Sequence, residues 1–283
     1  MNAEPDYAAR LHDAIIVDEI GIESGCYGIY RLRCRYQLIF ERRGHSLHAV
    51  GAEGSVVPFV GGEEVPGEVF LAAAADDDFT FIEKMSVALP LRNYPNIELD
   101  GIDLIVQPPA SDGAAHQPDE HIRFIAEEIA VAEIDPASVF FALGERDGKD
   151  TDQFVRLADE ARGHGMRIAI GDFGAGRWTD EQVKAIDPDV VRIDGDWFDK
   201  ICRDAVTIRL FDSVAGRLRE HRSSLMVSGI GSAQQFGIAL QAGADLFQGP
   251  HLSPPRHVGV AMTDRVSLGE RLGQSDKIIP LYG

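Results

Sequence analysis

The chain has 283 residues, 45% of them hydrophobic and 26% charged, an ordinary globular composition that excludes a disordered or fibrous chain. Its 27 basic and 46 acidic residues give a formal charge of −19, which repels nucleic acid and anionic lipid at long range, so an anionic ligand needs a local positive site or a metal. No apolar stretch reaches the roughly 20 residues of a membrane span, the N-terminus shows no basic leader, and Cys26, Cys34 and Cys202 lack CxxC spacing, so a cytoplasmic protein with reduced thiols and no zinc is expected.

In chain order, Tyr36–Phe40 and His48–Glu53 flank Arg43-Gly44-His45-Ser46 and read as an antiparallel hairpin. A helix is predicted near Phe79–Leu91, followed by a strand over Asp103–Gln107 that stops at Pro108-Pro109. Ile122, Ile125, Ile129 and Ala132 recur at helical spacing, and Val139–Leu143 is the next apolar strand. Phe154, Leu157, Ala158 and Ala161 mark a helix that ends at Gly163-His164-Gly165, with a strand over Met166–Ile170 directly after it. Thr179 and Gln182 form a capping-box pair for a short helix to Ile186, and Asp187-Pro188 leads into the strand Val190–Ile193. A helix over Ile208–Leu218, a strand over Ser224–Ser228, a helix over Ser232–Ala242 and a strand over Asp245–Gln248 follow, and Pro254-Pro255 closes the periodic region.

Several strands end in a polar residue at the C-terminal tip, as in Ile170-Gly171-Asp172, Arg192-Ile193-Asp194 and Phe247-Gln248. A barrel of parallel strands presents a site in this way. The expected fold is an α/β, TIM-like (β/α)8 barrel with one antiparallel strand. No Gly-, Ser- or Pro-rich linker divides it, so the expected organisation is an extension over 1–34, a barrel over 35–255 and a second extension over 256–283.

Read together, Gln37, Glu53-Gly54-Ser55, Gln107, Gly144-Glu145, Gly171-Asp172-Phe173-Gly174-Ala175-Gly176, Arg192-Ile193-Asp194, Val227-Ser228-Gly229-Ile230-Gly231 and Gln248-Gly249-Pro250 resemble, in order and spacing, the EAL-domain phosphodiesterases that hydrolyse cyclic di-GMP. The resemblance spans roughly residues 35–255. It implies the EAL type of barrel and lays the family's functional positions on Glu53, Gln107, Glu145, Asp172, Arg192, Asp194, Ser228 and Gln248. It implies nucleotide contacts at Gln37, Glu53, Glu145, Asp194 and Gln248. A metal, if bound, would fall to Glu53, Glu145 and Asp172.

The departures carry as much information as the matches. Metal-assisted phosphodiester cleavage needs hard oxygen ligands around two divalent cations, Mg or Mn here. Gly171 stands where the resemblance puts a metal-linking Asp, and Ser228 where it puts a Glu, so two negative charges are missing. Arg192 replaces a Lys with a planar fork, Gln107 is one methylene longer than the family's Asn, and Gly231 replaces a second Glu. Val57 stands where the family has an Arg four residues after its Glu. No metal cofactor and no turnover are therefore expected, and with Arg192 among them the acids have an internal cation to pair with.

Three functions stay open: a catalytically inactive regulatory module that binds a protein partner, a non-hydrolysing receptor for cyclic di-GMP, and a weakly active phosphodiesterase that draws missing ligands from Asp196 or Glu181. The resemblance also implies a homodimer through the loop Gly174–Trp178. His45 and His48 lack a third ligand nearby, Asp76-Asp77-Asp78 reads as a solvated turn, Gly171–Gly176 lacks a phosphate-loop ending, and Ser228 lacks the GxSxG frame.

Overall fold

The computed structural model of the protein describes residues 7–107, 118–144, 147–148, 150–176 and 178–273. The chain begins with α1 (Tyr7–Ala14), β1 (Ile15–Val17) and β2 (Glu23–Tyr27), then the long strands β3 (Tyr30–Arg43) and β4 (Ser46–Val60) and the short β5 (Glu63–Glu64). The helices α2 (Gly67–Ala73) and α3 (Phe79–Asn93) follow. From there strand and helix alternate: β6 (Asp103–Val106), α4 (Pro118–Val131), β7 (Val139–Leu143), α5 (Thr151–Gly163), β8 (Arg167–Phe173), α6 (Asp180–Ile186) and β9 (Val190–Ile193). Then come α7 (Gly195–Ile201), α8 (Ala205–Leu218), β10 (Ser224–Val227), α9 (Ala233–Gln241) and β11 (Leu246–Gln248). The chain ends in β12 (Arg256–His257), β13 (Arg265–Ser267) and α10 (Leu268–Arg271).

Eight of these strands close on themselves in the order β3-β11-β10-β9-β8-β7-β6-β4 and back to β3. All neighbours are parallel except those of β3, which runs antiparallel to both β4 and β11. The barrel and its single antiparallel strand thus match the sequence reading. Inside sits an apolar plug of Ile39, Ile105, Phe140, Ala142, Ala169, Val190 and Met226, and a larger apolar layer separates the strands from the surrounding helices.

Helices α5 to α10 each start where the sequence offers an oxygen to their free N–H groups, whereas α2 and α3 have no side-chain cap. Asp150, Thr179, Asp204 and Ser232 cap α5, α6, α8 and α9, and the expected capping box of Thr179 with Gln182 is complete. Helices α1, α2, α7 and α10 lie where the sequence pattern sets none; α7 is capped by Asp194, a residue the family resemblance assigns to the site. The terminal segments continue the sheet: β1 and β2 pair onward from β3, β12 pairs with β3, and β13 pairs with β4.

The hairpin is far longer than the sequence pattern suggested. β4 runs alongside β6 only over Gly51–Glu53, so residues 54–60, with residues 30–36 opposite them, rise past the C-terminal rim as a two-stranded ribbon. One face of the ribbon, carrying Leu32, Cys34 and Tyr36, is buried in the same apolar cluster as Met85 and Leu89 of α3. Tyr36 donates its hydroxyl to the carbonyl of Pro90 at 2.5 Å. Gly54 makes this approach feasible, since a Cβ there would lie 2.5 Å from the Pro90 ring.

Candidate functional site at the barrel mouth

Side chains alternate along a strand, so the residue two beyond each plug residue faces the same interior one layer higher. Two past Ile105 stands Gln107, two past Ala169 Gly171, two past Val190 Arg192, two past Met226 Ser228 and two past Leu246 Gln248. On the antiparallel β3, two before Ile39 stands Gln37, in register with Glu53. A polar layer therefore sits on an apolar plug at the C-terminal end of the barrel, where this architecture collects functional groups.

Arg192 is the centre of that layer. Its side chain is only 7% exposed, and one guanidinium nitrogen donates to Glu53 Oε1 at 2.7 Å. The other donates to Asp172 Oδ1 at 2.8 Å and to the Gln107 carbonyl oxygen. Gln107 passes its amide N–H to Asp172 Oδ2 at 3.0 Å, and Gln248 passes its own to Glu53 Oε2 at 3.0 Å. Glu53, Gln107, Asp172, Arg192 and Gln248 thus form one network in which both oxygens of each carboxylate accept a hydrogen bond. Burial by itself would pull the Arg192 pKa down, but the charges of Glu53 and Asp172 outweigh it and raise it above the ordinary arginine value.

Asp172 reaches this network only because the backbone breaks its alternation. The pairing of β8 with β9 shifts register between Ile170 and Phe173, and Asp172 sits at φ 55, in the left-handed region. A bulge adds a residue to one strand and re-aims its side chain, and holding a non-glycine residue there costs on the order of 1 kcal/mol or more. The ion pair with Arg192 is what the strained conformation gains.

The other expected site residues do not hydrogen-bond into the Arg192 network. Asp194 caps α7, accepting from the Trp197 N–H at 2.7 Å, and does not join the Arg192 network. Ser228 donates its hydroxyl to the Ile193 carbonyl at 2.6 Å, tying β10 to β9. Gln37 donates to the Ser253 carbonyl at 3.1 Å and so fastens β3 to the segment after β11. Glu145 lies outside the described residues. In the loop after β8, Trp178 is turned inward: it is buried, packs at a tilt against Phe154 with 4.7 Å between ring centroids, and donates its indole N–H to the Gly171 carbonyl at 2.9 Å.

Among the described residues, no three His, Cys, Asp or Glu side chains converge on a point where a cation would sit. The donor set at the mouth, among the described residues, does not suit a pair of divalent ions. Glu53 and Asp172 are divided by a guanidinium, Gly171 has no side chain, and the Ser228 hydroxyl is turned to a backbone carbonyl. No helix of the described residues is long and apolar enough to cross a membrane.

Comparison with known proteins agrees with this fold. The similar solved structures include the PaMucR phosphodiesterase in complex with c-di-GMP, at 16% identity and TM-score 0.67 over 79% of this chain and 91% of that one. They also include the YkuI protein of Bacillus subtilis, with an EAL domain and in complex with c-di-GMP and calcium, at 19% identity and TM-score 0.67 over 86% of this chain and 58% of that one. A third is Klebsiella pneumoniae BlrP1 in a manganese and c-di-GMP complex, at 22% identity and TM-score 0.67 over 83% of this chain and 59% of that one. At these identities the likeness is one of fold, and the chain spans little more than half the length of YkuI and BlrP1. No curated protein matches it. The family profile described as EAL domain matches residues 100–255, more than half of the sequence, and the chain belongs to the EAL domain family.

Proposed function

We propose that this chain is an EAL domain that works by binding and not by turnover, a regulatory module of cyclic di-GMP signalling that engages a nucleotide or a protein partner at the barrel mouth. One observation carries the reading: the Arg192 guanidinium lies between Glu53 and Asp172, hydrogen-bonded to both. A buried cation held at bonding distance satisfies the two carboxylates that the family resemblance would assign to metal. Displacing it would leave a charge in a buried place, at a cost of several kcal/mol. Gly171 and Ser228 add no carboxylate, so the local negative charge falls short of what two dications need.

The test is incubation of the full chain with cyclic di-GMP and Mn²⁺ or Mg²⁺, followed by chromatography, alongside calorimetric titration with and without metal. Intact nucleotide is expected in every sample. Linear product that disappears in Glu53→Ala would overturn the reading and favour an active phosphodiesterase.

A further inference from the structure

Above the rim, the ribbon carries a strip of positive charge. Arg31, Arg33 and Arg35 alternate along β3 and share one face with Gln37, while Phe59, Val57 and Ser55 stand opposite them on β4, on the face that Glu53 continues into the barrel. The ladder is unbroken over this stretch, since its one irregularity falls between Ile39 and Phe40. The strip and the mouth of the barrel are therefore one continuous surface.

Arg33 is the least committed of the three. It is exposed, no carboxylate among the described residues bonds to it, and its guanidinium carbon lies 4.7 Å from the centre of the Phe59 ring. The His257 ring meets the same Phe59 edge-on at 5.5 Å. Arg31 donates to Cys26 Sγ at 2.7 Å, and Arg35 donates to Ser55 Oγ and to the exposed Glu64, each at 3.3 Å. In a chain of charge −19, a guanidinium left without an anion beside an acid-lined mouth is a local exception to the overall field. A guanidinium placed over an aromatic ring with no carboxylate bonded to it has N–H groups to offer, and its planar fork matches two oxygens of a phosphate.

The register gives this cation a meaning. Arg33 is the cross-strand partner of Val57, the position at which the family resemblance expects an arginine. We infer that Arg33, with Arg35 beside it, is the phosphate-binding group of this face. It takes a phosphodiester of a nucleotide that reaches down to Gln37 and Glu53, so the positive charge absent at position 57 is supplied from the neighbouring strand. The inference rests on reading the mouth as a nucleotide-binding face, and does not depend on whether the nucleotide is cleaved.

The experiment is calorimetric titration of the full chain with cyclic di-GMP at low salt, comparing the native sequence with Arg33→Ala, Arg33→Glu and the exposed control Arg217→Ala. Circular dichroism checks that each variant is folded, which the exposure of Arg33 favours. Loss of one charge-assisted phosphate contact is expected to weaken binding by about tenfold or more in Arg33→Ala and further in Arg33→Glu, with Arg217→Ala unchanged. Arg33→Ala within twofold of the native chain overturns the inference, as do equal losses in Arg33→Ala and Arg217→Ala, or no binding by the native chain at millimolar nucleotide. Linear product in the same samples refutes the non-hydrolysing reading alone, because the affinity ratio between native chain and Arg33→Ala still decides this one.

Discussion

Gln107 lies across the open side of Gly171: a Cβ at Gly171 would come within 3.4 Å of the Gln107 carboxamide, which itself donates to Asp172 at 3.0 Å. The longer amide thus fills the space that the missing side chain leaves. The two departures from the family pattern are a single packing solution, since an Asn in place of Gln107 would reach neither neighbour as well.

Restoring one of them alone should therefore fail. Gly171→Asp has room for its Cβ but must push Gln107 aside and adds a third carboxylate around one guanidinium. A loss of about 1–3 kcal/mol is expected, read as a melting temperature lower by several degrees. The combination of Gly171→Asp, Gln107→Asn, Arg192→Lys and Ser228→Glu should gain a thermal shift with Mn²⁺ that the native chain lacks. An equal shift in the native chain would refute the account of the mouth given above.

Arg192 is the keystone of the network, and its removal should show it. Arg192→Ala removes the buried guanidinium that joins Glu53 and Asp172, which are themselves 30% and 43% exposed, with an expected loss of about 1–3 kcal/mol in denaturant unfolding. Because the Arg192 Nε–H is buried with no acceptor, the network carries a cost of its own. Arg192→Met combined with Glu53→Gln and Asp172→Asn should accordingly recover most of the loss. Additive losses in the triple variant would show that the three side chains do not act as a unit.

A second buried cluster sets a pH dependence. Glu23 on β2 is pushed above its ordinary pKa, first by burial and further by the nearby Glu128, with Arg92 opposing; the Arg92–Glu23 separation is 3.7 Å, while Arg92 holds Glu128 at 2.6 Å. An acid whose pKa is raised on folding binds its proton more tightly in the native state, so this contribution falls as pH rises through that window. Glu23→Gln should raise the melting temperature at pH 7, and the gain should vanish below the unfolded carboxylate value of about 4.3. A gain that persists unchanged at pH 3.5 would mean that ionisation of Glu23 is not its source.

The three thiols should differ sharply in reactivity. Burial pushes Cys34 up to about 12, and burial together with Asp199 pushes Cys202 up to about 11. The thiolate is the reactive form, so a thiol reagent at pH 8 should label at most Cys26 quickly in the native chain, with all three labelled after denaturation. Rapid native labelling of Cys34 would contradict its burial under the ribbon.

Much of this architecture is legible in the order of residues. The alternation of apolar strands with amphipathic helices, the caps at Thr179 and Ser232 and the polar residue two beyond each plug position all follow from local periodicity, which is why the barrel and the layer holding Gln107, Arg192 and Gln248 were readable. Even an internal partner for the acids was visible in the substitution at Arg192. Other features are set by relations between strands that no single stretch of sequence contains. The bulge that turns Asp172 inward depends on how β8 registers against β9, and period-two reasoning alone would send that side chain outward. Asp194 carries a site-like motif yet serves a helix start, because the nearest donors are the N–H groups of α7 and not the guanidinium at the mouth. The alternating arginines of β3 were present in the sequence as a period-two signal, but only the pairing of Arg33 with Val57 gives them a place. Local chemistry fixes which elements form. Side chains far apart in the chain meet only when the sheet closes, and that closure decided which charges neutralise one another.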